Sequence, residues 1–189
     1  GKMVKAWKIA AQIPLPKDKE RINFRPISLL SGFSKHLERI AKDRLMSKIE
    51  NKMHRNVFGY SKKRGTTDGN ACLTQKISET LFRNNGIIRG KSKKCLVIFL
   101  DLEKAFELAS PSIILYELAK LGVKGKLLRF LQDYLSERKG YVSFEGFKSH
   151  LTDFENGVPQ GGILSPFLFN VLVNNIVSRV FPLSLIHIS

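Results

Sequence analysis

The amino-acid sequence predicts an α+β fold, and three observations carry that expectation. Apolar residues recur with helical spacing near 32–50, 66–83, 111–121 and 124–137. Short β-type runs stand between them, notably WKIAAQIPLP and LVIFLD. The two kinds of segment mix without a regular strand–helix–strand rhythm, which argues against a parallel α/β sheet.

Taken in order, residues 7–16 read as a strand closed by Pro14 and Pro16, with the charged turn KDKER after it. FRPISLL reads as extended, because Pro26 steers Arg25 away from helix. Ser31 is placed to cap a helix over 32–50, with Phe33, Leu37, Ile40 and Leu45 on its apolar face and Lys35, Arg39, Lys42 and Lys48 off it. After the turn HRNVFGYSKKRG, Thr66 or Thr67 can cap a second helix to about residue 83. NNGIIRGKSKK is a basic loop, and Cys95 to Asp101 is a strand. Helices near 111–121 and 124–137 flank LGVKG, and a hairpin runs from YVSFEGF to SHLTDFENG. GVPQGGILSP forms a stiff turn ahead of the apolar helix PFLFNVLVNNIVSRV.

The 189 residues suffice for one large domain or two small ones. The net charge of +16 is unevenly placed. Residues 1–95 hold 23 Lys/Arg and 7 Asp/Glu, whereas residues 96–189 hold 9 of each. A basic half joined to a neutral half points to a polyanionic partner, and nucleic acid fits better than a membrane surface. The basic residues are scattered over loops and helices, not gathered on one amphipathic helix with apolar anchors. Cys72 and Cys95 lack metal-ligand spacing, so a reducing interior is expected. The chain carries neither an N-terminal signal pattern nor an apolar run of spanning length, and an intracellular place in nucleus or cytoplasm is expected.

Two stretches carry the chemistry. LVIFLDLEKAF ends an apolar run at Asp101, and a carboxylate at the tip of a buried strand is suited to a metal ion facing a cleft. The same aspartate also reads as the cap of a helix beginning at Leu102 or Glu103. NGVPQGGILSP sets Gly161 and Gly162 between Pro159 and Pro166, so a backbone can approach a neighbour closely within a stiff frame. It also reads as an ordinary loop between hairpin and helix.

Together, LDLEKAF and GVPQGGILSPFLFN resemble the reverse transcriptases of non-long-terminal-repeat (LINE-type) retrotransposons, and FRPISLL and FGYSKKRGTTD resemble the fingers-side motifs of that family. The resemblance implies a right-hand polymerase fold, with fingers over residues 1–94 and a partial palm over 95–181. Asp101 matches the first catalytic, metal-binding aspartate, and Leu102 the residue whose backbone carbonyl helps hold the metal. Phe106 matches the wall that excludes a 2′-hydroxyl, and Gln160 and Gly161 the motif beside the incoming nucleotide and template. Arg25 and Lys35 match basic positions near the triphosphate, while Lys62, Lys63 and Arg64 resemble template-backbone contacts. The implied cofactor is Mg²⁺, with Mn²⁺ as the alternative. The implied partners are an RNA template, a DNA primer and dNTPs, with no membrane.

The family completes its site with a hairpin bearing two adjacent aspartates, and a thumb follows. This sequence has no acidic residue after Glu155, so an inactive, C-terminally truncated polymerase is expected. The tail LSLIHIS resembles translated adaptor sequence, and residues 182–189 are read as non-native. A non-catalytic nucleic-acid-binding remnant and an intron maturase-like relative are the alternative readings.

Overall fold

In the computed structural model, residues 2–17, 23–82, 87–88, 91–92, 94–154 and 156–180 are described. The tail from 182, most of the turn after Lys17, and parts of the basic loop after residue 82 lie outside them. The chain divides into two compact units, residues 1–53 with 104–175, and residues 54–103 with 176–189.

The first unit is built on a five-stranded sheet. A 3₁₀ turn at Lys5–Lys8 leads into β1 (Ile9–Pro16), which pairs antiparallel with β2 (Phe24–Leu29). Pro16 ends β1 as the sequence reading expected, whereas Pro14 lies within the strand. Pro14 sits opposite Pro26, and the parallel pairing of β1 with β5 (Lys139–Phe144) runs only from Ile9 to Gln12. The missing proline N–H groups therefore fall where no ladder partner asks for them. β6 (Phe147–Lys148) returns antiparallel on β5 through a tight turn in which Glu145 and Gly146 both have positive φ, as a two-residue hairpin requires. β7 (Thr152–Asp153) pairs with the start of β5.

Four helices are assigned to this unit wholly or in large part, namely α1 (Gly32–Ile49), α3 (Pro111–Lys120), α4 (Gly125–Leu135) and α5 (Ser165–Val180), the last of which belongs to it as far as residue 175. Leu45, Ile49, Ile114, Leu118, Leu131, Tyr134, Leu164 and Leu168 are fully buried. Asp133 ties the N-terminal segment down, bonding the Met3 N–H at 2.6 Å and the buried Lys8 ammonium at 3.1 Å. Partial burial pushes the Asp133 carboxyl up, but these two donors outweigh it and hold it below its ordinary value.

α1 corrects the sequence reading. Its inward stripe is Ser34, Glu38, Ala41, Leu45 and Ile49, while Phe33 is 71% and Ile40 51% exposed. Both stripes have helical spacing, and the choice between them depends on the partners that Ser34 and Glu38 find inside. Ser31 stands at the N-cap without a side-chain bond; its carbonyl receives the Lys35 N–H.

The second unit carries α2 (Thr66–Phe82) and a short hairpin of β3 (Ile87–Ile88) with β4 (Lys91–Ser92). Neither Thr66 nor Thr67 caps α2. Asp68 reaches back to the Gly65 N–H at 2.8 Å, and the Gly65 carbonyl accepts the Gly69 N–H, so the cap is closed by an acidic third-position residue. Residues 95–101 were expected as a strand, but they take no regular structure, and Leu96, Ile98, Phe99 and Leu100 are exposed. An apolar run forms a strand only where a neighbour's N–H and C=O groups complete its ladder, and among the described residues no strand pairs with this one.

Candidate functional site

The turn expected to be stiff is stitched to two other segments of the first unit. The Gly157 and Val158 N–H groups donate to the carbonyls of Ala109 and Phe106 at 2.9 and 2.8 Å. The Gln160 carbonyl accepts the Ser28 N–H at 2.7 Å, taking up the edge of β2 that faces away from β1. The loop of Phe106, the Gln160–Gly161 backbone and the strand bearing Arg25 are thus joined by main-chain bonds.

The glycine pair explains how the turn fits so closely. At Gly161, with φ +125°, an added Cβ would stand 2.5 Å from the Ser28 carbonyl oxygen. At Gly162 it would meet Ser165 Oγ at 2.7 Å, Glu38 Oε2 at 3.0 Å and the Tyr134 hydroxyl at 3.1 Å. The turn therefore rests on β2 on one side and on a buried polar cluster on the other.

Sequence reasoning missed that cluster. Glu38 is completely buried; its Oε2 accepts the Leu164 N–H at 3.1 Å and its Oε1 accepts the Ser34 hydroxyl at 3.2 Å. Arg138 lies 4.9 Å from the centre of the Tyr134 ring and donates to the Tyr134 carbonyl at 3.2 Å. Burial pushes the Tyr134 phenol far up from its ordinary value, the Glu38 carboxyl adds to this, and the Arg138 guanidinium pulls the other way. The signal was present in the spacing 34, 38, 41, 45, 49, but two polar residues on a helical stripe do not announce themselves as core.

Phe106 is half-buried, with its ring centre 5.2 Å from that of the buried Phe169 of α5, so its position is fixed by packing. Arg25 is exposed on β2 opposite Leu15, three residues and roughly 10 Å along the strand from Ser28. Lys35 is half-buried in the first turn of α1, one turn before Glu38.

The remaining candidates belong to the second unit. Asp101 and Leu102 are exposed, and Asp101 Oδ1 accepts the Leu102 N–H at 2.9 Å. Residues 103–107 form turns, not a helix, so Asp101 caps nothing. Among the described residues no group of three or more His, Cys, Asp or Glu could hold a metal ion. Asp101 has the hard oxygens that Mg²⁺ prefers, but a full ligand set is not assembled around it. Lys62, Lys63 and Arg64 are exposed on a turn where Lys63 has φ +56°; the Arg64 guanidinium is engaged with the Arg55 carbonyl at 2.6 Å.

Against known families, residues 15–184 match the model described as reverse transcriptase (RNA-dependent DNA polymerase). The chain belongs to the reverse transcriptase family. It is 30% identical over 93% of its length to the RNA-directed DNA polymerase from mobile element jockey of Drosophila melanogaster, of which it covers 19%. It is 29% identical over 94% of its length to the Pol polyprotein from retrotransposable element R2 of Popillia japonica, covering 24% of it. A third similarity, 27% over 88% of the chain, is to the probable RNA-directed DNA polymerase from transposon BS of Drosophila melanogaster, covering 18%. These relatives are retrotransposon polymerases of the non-long-terminal-repeat type, and this reverse transcriptase segment spans about a fifth to a quarter of their length. No helix among the described residues is long and apolar enough to cross a membrane.

Proposed function

We propose that this segment forms the fingers side and part of the palm of an RNA-directed DNA polymerase that copies an RNA template onto a DNA primer using dNTPs. The observation that carries the reading is the Val158–Phe106 and Gln160–Ser28 stitching, which groups an aromatic wall, a planar amide and an arginine-bearing strand in one unit. The chemistry of each part suits the role. Arg25, with Lys35, would offset triphosphate charge, and a guanidinium can grip phosphate oxygens in pairs. Phe106, held against Phe169, would reject a 2′-hydroxyl by excluded volume. Lys62, Lys63 and Arg64 would meet template phosphates.

The family works with divalent ions, and Asp101 would be one carboxylate ligand for them, with the Leu102 carbonyl beside it. When bound, such ions would supply an activated 3′-hydroxyl and a neutralised leaving group. Asp101 alone does not make that site, so the 189-residue chain is expected to bind nucleic acid and not to extend a primer.

Template-primer binding should weaken with salt, log K falling against log salt by roughly 0.7–0.9 per phosphate neutralised. Primer extension by the isolated chain should be absent. In a jockey-type polymerase into which the segment is transplanted, Asp101→Asn should abolish extension and leave template-primer affinity within a few-fold. Full activity of that variant would overturn the role of Asp101. Salt-insensitive or absent nucleic-acid binding would overturn the reading as a whole.

A further inference from the structure

The first turn of α1 presents an aromatic ring outward where an ordinary amphipathic helix would bury it. Phe33 is 71% exposed although Ser34, its neighbour, is fully buried. Trp7, from the 3₁₀ turn at Lys5–Lys8, lies against it with ring centres 5.9 Å apart and an angle of only 14° between the planes. The pair is a near-parallel stack with one end covered by the half-buried indole and the other end, the phenyl ring, largely open.

The stack is anchored. The Trp7 backbone N–H donates to the Val4 carbonyl at 2.9 Å, and the residue after it, Lys8, is buried and ion-paired with Asp133 at 3.1 Å. Met3 is held by the same carboxylate. The aromatic faces are therefore presented without the ordering cost of a mobile side chain.

Its surroundings are cationic. Residues 1–53 contain 13 Lys/Arg and five Asp/Glu. Lys2 and Lys5 are exposed around Trp7, and His36 and Arg39 are exposed one and two turns along α1 from Phe33. Of these five, Glu38 is buried, Asp43 and Glu50 are exposed, and Asp18 and Glu20 lie outside the described residues; Asp133, on α4, is engaged by Lys8. An open aromatic stack among exposed cations that outnumber the acidic groups complements a ligand that has flat unpaired rings on a polyanionic backbone. An aliphatic protein partner would use the rings but not the charge.

From this juxtaposition we infer that Trp7 and Phe33 form a stacking platform for the unpaired bases of single-stranded nucleic acid, with Lys5 and Arg39 flanking its phosphates. The inference rests on the nucleic-acid reading given above, but adds a contact surface in the first unit, separate in sequence from Lys62, Lys63 and Arg64. A base on the open face of Phe33 would lengthen the stack by one ring, and such stacking tolerates any sequence because every base has a π-face.

Trp7 is the single tryptophan of the chain, so it reports on its own surface. A uridine oligonucleotide of about a dozen nucleotides, within the usual span of single-strand sites, should quench its emission saturably, while a blunt duplex should bind without quenching. Phe33→Leu should weaken single-strand binding roughly 5- to 100-fold, the equivalent of one lost base stack, and leave the salt slope unchanged. Phe33→Tyr should bind like the parent. Circular dichroism will verify folding, which exposure of Phe33 makes robust to both changes. Binding seen by anisotropy with no quenching, or a Phe33→Leu chain that binds like the parent, would overturn the platform and leave the polymerase reading intact. Failure to bind single strand and duplex alike would overturn both.

Discussion

Replacing Gly161 by alanine places a methyl group 2.5 Å from the Ser28 carbonyl oxygen, at a backbone φ of +125°. A carbon and a carbonyl oxygen rest comfortably at roughly 3.3 Å, so the turn must withdraw from β2 by about 0.8 Å. That motion lengthens the Gln160–Ser28 bond from its present 2.7 Å to beyond the ~3.2 Å at which N–H···O bonds are usually found. The lost bond costs about 0.5–1.5 kcal/mol, and a side chain forced to this φ costs about 1–3 kcal/mol. Together they give a destabilisation of about 1.5–4.5 kcal/mol, which at a urea dependence of about 2 kcal/mol per molar lowers the midpoint by about 0.8–2.2 M. Equilibrium urea denaturation of the chain, followed by circular dichroism, measures this directly. Gly32→Ala is the control, because an added Cβ there meets nothing within 4 Å and the residue lies in α1; its midpoint should stay level or rise. A Gly161→Ala chain that melts with the parent would refute the claim that this turn is seated on the edge of β2.

Three further outcomes are expected. Glu38→Ala should cost about 2–4 kcal/mol, because the Leu164 N–H and the Ser34 hydroxyl lose their buried acceptor. Glu38→Gln should lose less than half as much, since its amide oxygen can face Leu164 and its NH₂ can donate to Ser34; equal losses in urea denaturation would argue against the hydrogen-bonding role. The raised phenol of Tyr134 predicts a pH effect. Its contribution is fully present below the ordinary value of 10.0, and above that pH the unfolded chain releases a proton that the folded chain keeps. Stability should then fall by about 1.4 kcal/mol per pH unit, and Tyr134→Phe should remove that slope from urea midpoints measured across the alkaline range. Finally, in an active polymerase carrying this segment, Phe106→Val should raise ribonucleotide incorporation, as measured by competing dNTPs and rNTPs; unchanged discrimination would sink the sugar-wall role.

Much of this protein could be read in its residues because the information is local. The helices over 32–49, 66–82, 111–120 and 125–135 follow from apolar spacing, and Pro26 and Arg25 in β2 follow from backbone sterics. The turn at 157–162 announced itself by glycines between prolines, and the family was legible in LDLEKAF and GVPQGGILSP alone. Even the concentration of positive charge in the first half needs nothing beyond counting.

Tertiary structure decided whatever depends on a partner distant in sequence. α1 has two stripes of helical spacing, and burial of Ser34 and Glu38 in place of Phe33 and Ile40 follows from an acceptor being needed at Leu164, 126 positions from Glu38. The parallel contact of β1 with β5 joins residues about 130 apart in the chain, with no local signature. Residues 96–100 have every local mark of a strand, yet a strand exists only when another backbone completes its hydrogen bonds, and here none of the described residues does. Periodicity and propensity belong to the segment itself, whereas burial of a polar group and completion of a β-ladder belong to the pair.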